Sequence, residues 1–582
     1  MEEEIRGSAP REGDEIHWAQ PGAAFLRLIV PADPLPPEPP MIRTCAAFLF
    51  STSLLACSAS LQTPKESEER PNILFIYSDD HATGAVGCYA NSVVASHAQT
   101  PNIDALAADG MRFDRAFCTN GICAPARAVV LTGKHSHVNG VPDNGASFDG
   151  SQATFPKLLR ASGYQTALIG KWHLKSTPTG FDHWEVLPGQ GEYYSPAFER
   201  PGPNYVEGAP IAEGTIERRR LPGYATEVTT DLAIEWLEQE RDPAKPFLLM
   251  VQHKAPHRSW MPGPEEHALY EGQQLPEPTT LFDDYAGRAD GAKTQEMTIA
   301  RHMWLWYDLK VRSAQWGLAD GEPILDGPDK WAQGMEDRMD EAQLAAWDAA
   351  YQPRNEAFAA GVRSGELSGA ALVRWKYQRY IKDYLRCIAG VDKSVGELVT
   401  WLEEHGLDQN TIVVYTSDQG FYLGEHGWYD KRWMYEPSLQ LPLVVRWPGT
   451  IKAGGVDDHL VQNLDFAPTF LEAAGLKPAA DIQGLSLLPL MRGEEPGPGA
   501  WRESIYYRYF EVGIHAVPQH YGVRTERHKL INYYGLDQWE LFDLELDPDE
   551  MTNLIEDPKY AETRERLKAE LTRLRTDCGD QD

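Results

Sequence analysis

Four apolar runs, each ending in a polar cluster, constrain this chain more than any other feature. They are NILFIYSDD (72–80), QTALIGKWH (165–173), PFLLMVQHKAPH (246–257) and TIVVYTSDQG (411–420). Runs that are apolar at nearly every position, rather than at alternate ones, read as strands buried on both faces, the mark of a parallel sheet covered by helices. Helical patterns such as TFPKLLRASG and ATEVTTDLAIEWLEQE lie between them. The fold class expected is α/β: a large mixed, mostly parallel sheet flanked by helices. In such sheets ligands bind at the carboxyl ends of the strands. The four clusters are therefore expected along one edge.

Asp79 and Asp80 are adjacent, and neighbours within a strand point to opposite faces. To reach one ion together they must lie just past the strand end. With Asp418 and Gln419 they make an all-oxygen set suited to Ca²⁺, or to Mg²⁺, and not to zinc. Lys171 and His173 are two apart and would share a face in extended chain. A fifth cluster is Cys123-Ala124-Pro125-Ala126-Arg127, followed by AVVLTGK. Pro125 suits a first helical turn and Gly133 a helix end, so a helix is expected to start near Cys123. Arg127 then falls one turn on, on the same face as Cys123. A nucleophile at a helix start with a guanidinium beside it suits an anionic ester.

The motif C-x-P-x-R, a short apolar run and T-G-K resembles the signature of the type I, formylglycine-dependent sulfatases. The resemblance covers about residues 71–555 and implies an alkaline-phosphatase-like fold. It further implies oxidation of Cys123 to formylglycine by a maturation enzyme, with the aldehyde hydrate attacking the sulfur of a sulfate ester. Asp79, Asp80, Asp418 and Gln419, with the modified Cys123, become the metal ligands. Gln419 departs from better-known members, which more often carry Asn or His there. Arg127, Lys171 and Lys431 are implied to stabilise the sulfuryl charge, His173 to handle a proton of the hydrate, and His257 to protonate the leaving oxygen or grip the sulfate. His253 ranks behind His257, and Arg432 is the bland neighbour of Lys431. His135 and His137 read as structural; His515, His520 and Arg524 carry a weak suggestion of substrate contact. The segments CTNGICAPARAVVLTGKHSHVNG and HKAPHRSW look most like bacterial sulfatases acting on N-acetylglucosamine 6-sulfate and related polysaccharides. A sulfated saccharide chain end is thus the expected substrate. Two rivals stand beside this reading: an alkaline-phosphatase-like phosphatase or phosphodiesterase, and a non-catalytic lipoprotein that binds sulfated glycans.

Composition sets limits. The net charge of −32 excludes non-specific nucleic-acid binding and requires any sulfate pocket to be locally basic. The seven cysteines show no zinc-like or disulfide-framework spacing. From Met41, MIRTCAAFLFSTSLLACSAS is too short for a membrane span and fits a signal peptide whose lipobox-like end makes Cys57 a lipidated residue. Residues 1–40 are then an extension upstream of the true start, 41–57 the signal peptide and 58–70 a polar linker. The protein is expected to be exported, as a periplasmic or cell-surface lipoprotein. The catalytic domain is expected over 71–493, with a Trp-rich helical insertion at 262–370. A C-terminal subdomain at 494–582 should hold a small antiparallel sheet and a final helix.

Overall fold

The computed structural model describes residues 70–312 and 329–581. The expected extension, signal peptide and Cys57 lie outside the described residues, as do the linker up to residue 69 and part of the insertion. The strands of the first part are β1 (Asn72–Ser78), β2 (Met111–Phe113), β3 (Ala116–Phe117), β4 (Gln165–Lys171), β5 (His183–Leu187) and β6 (Ala197–Pro201). They are followed by β7 (Ile216–Arg220), β8 (Phe247–Gln252), β9 (Thr411–Ser417), β10 (Leu443–Arg446), β11 (Gly455–Asp457) and β12 (Val461–Gln462). Among the described residues, ten of these form one sheet in the order β11-β2-β10-β9-β1-β8-β4-β5-β6-β7, while β3 pairs with β12 separately. The central strands β9, β1, β8, β4 and β5 are all parallel, and antiparallel pairing is confined to the flanks. The apolar runs are buried as their composition requires: Ile73, Leu74, Phe75 and Ile76 are all 0 % exposed. Phe75 packs edge-on against Phe466 and Phe470 of the helix Phe466–Ala473. The helix Ala225–Gln239 carries Trp236 onto Phe247 of β8.

Register fixes the site. Ser78 of β1 lies opposite Ser417 of β9, so Asp79 and Asp418 leave the sheet side by side. Gln252 of β8 is level with Tyr77 on one side and Gly170 on the other. Gly170 has φ 105°, and a Cβ there would sit 1.9 Å from the Gln252 carbonyl oxygen. Only glycine permits that approach, which bends the end of β4 just before Lys171.

A long helix spans Gly369–Glu404. The Trp-rich run before it is corrected: Thr298–Arg312 forms turns, and helix appears in the insertion mainly as Asp329–Glu336 and Glu341–Ser364. Side chains there compete for the backbone. The Thr298 amide and hydroxyl bond His302 Nδ1, and the Asp308 carboxylate accepts the Trp304 N–H at 2.8 Å. Downstream, β13 (Ser504–Tyr509), β14 (His520–Thr525), β15 (His528–Tyr533) and β16 (Gln538–Asp543) form an antiparallel meander. The helix Ala561–Asp577 closes it through Leu567 and Leu571, packed with Tyr506, Val523, Leu530 and Leu541. Among the described residues no helix is long and apolar enough to cross a membrane.

Candidate active site

The strand ends converge as their composition suggests. Asp79 and Asp80 follow β1 directly; Asp80 takes φ 69° and its backbone N–H donates to Asp418 Oδ1 at 3.0 Å. Tyr384, on the long helix, donates to the Asp80 carbonyl at 2.7 Å and accepts from Ala82 N at 2.8 Å, which fixes that turn. The helix Cys123–Thr132 starts where expected and ends at Gly133 with φ 65°. Its first turn is tied down by Asn144 Oδ1, which accepts from Ala124 N at 3.0 Å. Cys123 is 1 % exposed, with Sγ 3.2 Å from Asp79 Oδ1 and 3.5 Å from Lys431 Nζ. Burial, with Asp79 adding to it, pushes the thiol well up from its ordinary range.

Asp79, Asp80 and Asp418 each offer an oxygen within 4.8 Å of the others, and all three are fully buried. Such carboxylates cannot all ionise without a cation among them. Burial and the neighbouring carboxylates push Asp418 well up. Burial also lifts Asp80, to about 6, against the pull of Lys431. Asp79 is also buried, but Lys171, His257 and Arg127 outweigh that and hold it well below the usual range. Lys171 donates to Asp79 Oδ2, and to Gln190 Oε1 at 2.5 Å. Lys431 donates to Asp80 Oδ1 at 2.5 Å. Gln419 donates through Nε2 to Asp80 Oδ1, while Gln419 Oε1 and Asp80 Oδ2 are buried without a hydrogen-bond partner. Two orphaned oxygens beside two further carboxylates fit a hard divalent cation held by Asp79, Asp80, Asp418 and Gln419.

Arg127 reaches the carboxylate cluster beside Cys123, with Nη2 3.8 Å from Asp79 Oδ1. Its guanidinium donates to the Lys171 carbonyl at 2.8 Å, to Gln252 Oε1 at 2.5 Å and to Asp418 Oδ2 at 3.2 Å, and lies over the Tyr77 ring. It ties three strand ends together and holds a carboxylate of the cluster beside Cys123. His257 Nε2 is 3.8 Å from Asp80 Oδ2, and Nδ1 donates to the Arg258 carbonyl at 2.6 Å. That bond fixes the tautomer and aims Nε2 at the carboxylates. Arg258 is itself held by Asp308 through two contacts of 2.7 Å, among the rings of Trp304, Tyr307 and Tyr429. His173 lies beyond the end of β4 with φ 56°, so strand alternation is not what orients it. Its Nδ1 is buried without a partner; burial and then Lys171 hold the ring well below its usual range.

His253 points elsewhere, with Nε2 3.0 Å from Ser394 Oγ on the long helix. His135 and His137 stack on one another and meet Tyr506 edge-on, and His137 donates to the Cys578 carbonyl at 2.9 Å. The weak suggestion for His520 and Arg524 fails. His520 is buried between Trp433 and Tyr507, and Arg524 pairs with Glu436 at 3.1 Å. His515 does approach the site, with Nε2 2.7 Å from Asp430 Oδ2.

Several contributors were not singled out from sequence or, like Arg432, were set aside there. Asp430 and Arg432 flank Lys431 with φ 77° and 91°; they pair at 2.6 Å, and Arg432 and His515 overcome burial to hold Asp430 well below its usual range. Lys254 donates to the Gln190 carbonyl at 3.2 Å over the Tyr193 ring, and burial with Lys171 lowers it to about 8. Gln252 ends an apolar run as the other site residues do, and that position was its only signal. Gln190 and Asp430 sit on loops, where sequence pattern gave none.

The sequence matches the sulfatase family over residues 71–476 and the C-terminal region of N-sulphoglucosamine sulphohydrolase over 424–577. It is 43 % identical over 542 residues to an N-acetylglucosamine-6-O-sulfatase of Bacteroides thetaiotaomicron, covering 92 % of each chain. A solved structure of BT4656 in complex with its substrate D-glucosamine-2-N,6-O-disulfate superposes with a TM-score of 0.79 at 43 % identity, over 88 % of this chain and 99 % of that one. A phosphonate monoester hydrolase from Silicibacter pomeroyi shares the fold at 20 % identity with a TM-score of 0.60, covering 88 % and 96 %. With a strand-end carboxylate cluster built around a buried C-x-P-x-R cysteine, this chain belongs to the sulfatase family.

Proposed function

We propose that this sulfatase removes the 6-sulfate of a glucosamine-type residue at a saccharide chain end, with Cys123 converted to formylglycine and Ca²⁺, or Mg²⁺, held by Asp79, Asp80, Asp418 and Gln419. One observation carries the reading: Cys123 Sγ lies between the Asp79 carboxylate and the Lys431 ammonium, at 3.2 and 3.5 Å. A cysteine attacks as its thiolate, and this environment disfavours the thiolate. An unmodified thiol at that place would be inert, whereas an aldehyde hydrate presents a hydroxyl there. A cation held by Asp79, Asp80, Asp418 and Gln419 would supply Lewis-acid polarisation of a sulfate oxygen and lower the pKa of the attacking hydroxyl.

The chain's own residues do the rest. Lys431 and Lys171 stand on either side of the cluster, each through a carboxylate contact, where they complement negative charge on a transferring sulfuryl group. His257, with Nδ1 anchored, aims Nε2 at the leaving oxygen and protonates it from the imidazolium form, in which both ring nitrogens carry a proton. Arg127 and Gln252 keep the strand ends in register for this. Asp430, Arg432 and His515 form a charged, hydrogen-bonding wall next to Lys431, suited to sugar hydroxyls. The 6-sulfated glucosamine is supported by the 43 % identical relatives. The test is sulfate release from a panel of sulfated mono- and disaccharides beside a phosphate monoester, together with the mass of the Cys123 peptide. Turnover of 6-sulfated glucosamines and an aldehyde at position 123 are expected. Preference for the phosphate ester would overturn the reaction class, and turnover of only another sulfated sugar would overturn the substrate.

A further inference from the structure

Away from the chemistry, a cavity of about 430 Å³ opens between the helix Glu341–Ser364, the helix Gly369–Glu404 and the loop carrying Tyr270. Its wall holds five cations, Arg354, Arg374, Arg379, Lys382 and Arg386, against a single carboxylate, Glu271. Three pairings account for part of that charge. Arg354 meets Glu271 at 2.5 Å, Arg386 meets Asp383 at 2.8 Å, and Arg374 meets Glu277 at 3.0 Å. Arg379 and Lys382 have no carboxylate within ion-pair distance among the described residues. Arg379 is 6 % exposed and stacks on Tyr351 and Trp375, with Nη2 on Asn355 Oδ1 at 2.7 Å. Its Nη1 is buried without a hydrogen-bond partner, and so is Nη1 of Arg354.

A buried guanidinium N–H with nothing to donate to costs about 1–3 kcal/mol or more. The two here belong to residues that line one cavity, and the excess of cations around it marks a place shaped for an oxyanion. The surroundings sharpen the point. This chain carries a net charge of −32, so a cationic cleft runs against its whole field. The cations are also graded in depth. Arg379 and Arg386 lie buried at the floor, Arg354 and Lys382 are half-buried, and Arg374 stands exposed at the rim. A single small ion would need only the floor. A floor site continued by cations toward the rim matches successive anionic groups along a chain.

We propose that this cleft is a second binding site, outside the active site, for the sulfate groups of a sulfated saccharide chain. The planar donors of Arg379 at the floor and Arg354 above it take one sulfate between them, and Lys382 and Arg374 meet the next toward the rim. The saccharide part rests on the function proposed above; the oxyanion part rests on the cleft alone. A substrate repelled by the protein's overall charge would thereby be held while its end is processed.

The test measures calorimetric binding of a heparin-type hexasaccharide and of inorganic sulfate to the full chain in a Cys123→Ala background, with N-acetylglucosamine 6-sulfate present to fill the active site. Arg379→Gln with Lys382→Gln should weaken hexasaccharide binding about tenfold or more, since loss of the charge-assisted guanidinium contact is worth roughly that factor. Lys382→Gln alone, at a half-buried position without an ion pair, should weaken it about threefold without disturbing the fold. In the Cys123-containing protein, both variants should turn over the monosaccharide sulfate within twofold of the parent. Unchanged hexasaccharide binding in both variants overturns the site. Inorganic sulfate binding as tightly as the hexasaccharide overturns the saccharide assignment. If cleft binding is lost in the variants while no sulfated sugar is turned over by the parent, the cleft stands and the catalytic reading falls.

Discussion

Asp308→Asn tests how the proposed proton donor is held. Asp308 is 0 % exposed and grips Arg258 through Nε and Nη2, each at 2.7 Å. Removing its charge strands a mostly buried guanidinium, and breaking a buried pair by losing one partner costs about 3–5 kcal/mol. Asparagine keeps one acceptor and the three surrounding rings still attract the cation, which puts the loss at about 3 kcal/mol. The consequence for chemistry runs through the next peptide, because the Arg258 carbonyl accepts from His257 Nδ1 at 2.6 Å. An imidazole displaced by about 1 Å loses roughly 10²-fold of rate where it must deliver a proton. A sugar alkoxide needs that proton; 4-nitrophenolate does not. We therefore expect kcat on a sugar 6-sulfate to fall about 10²-fold and kcat on 4-nitrophenyl sulfate to fall less than about fivefold. Steady-state kinetics on both substrates, with urea unfolding of the same preparations, reads both effects. Equal losses on the two substrates would refute the coupling to His257, and a stability change below about 1 kcal/mol would refute the buried-pair argument.

Four further outcomes are expected. Cys123→Ala should lose at least about 10³-fold in kcat with unfolding unchanged within about 1 kcal/mol, since a nucleophile is removed from a site that needs no new packing; activity near the parent's would sink the mechanism. Chelation should lower the melting temperature, with Ca²⁺ or Mg²⁺ restoring it in the parent and failing to do so in Asp80→Asn; restoration by zinc alone would contradict the oxygen-donor site. Glu266 is buried and lifted to about 7 by burial and then by Glu227. Its contribution is therefore intact below about pH 4.5 and lost as pH rises through 7. Glu266→Gln should gain about 2–3 kcal/mol at pH 8 and nothing at pH 4.5 in urea titrations, and an equal gain at both would show the shift is not its cause. Arg432→Ala should raise KM for the sugar sulfate about tenfold while leaving 4-nitrophenyl sulfate within twofold, and equal effects on both would place Arg432 on the sulfate instead of the sugar.

Much of the fold could be read because two-faced burial leaves so plain a trace. NILFIYS and TIVVYTS had to be central strands, and their pairing in register brings Asp79 to Asp418. The Cys123 helix could be read from its end signals for the same local reason. What escaped depends on contacts across hundreds of residues. Arg127 sits within its motif as expected, yet the groups that take its donors come from β4, β8 and β9. His173 looked like a strand residue because Lys171-x-His173 has the right spacing, and only the turn at φ 56° reveals otherwise. The run from Thr298 to Arg312 has apolar spacing that passes for a helix, but Asp308 takes the Trp304 N–H and Arg258 instead. Asp430 and Arg432 adopt backbone conformations that their residue types rarely announce.

The parallel pairing of β1 with β9 also sets a clock. Arg127 and the Asp418 carboxylate it grips are 291 residues apart, and Lys431 follows later still. At about 5–20 residues per second, the wall that encloses Cys123 leaves the ribosome on the order of 15–60 seconds after the cysteine does. Once that wall has docked, the side chain is 1 % exposed and no second protein can reach it. An enzyme that modifies Cys123 must therefore act on a nascent or still-unfolded chain. The long interval between neighbouring strands keeps that opportunity open, and a circular permutant that made β9 before the Cys123 helix would shorten it.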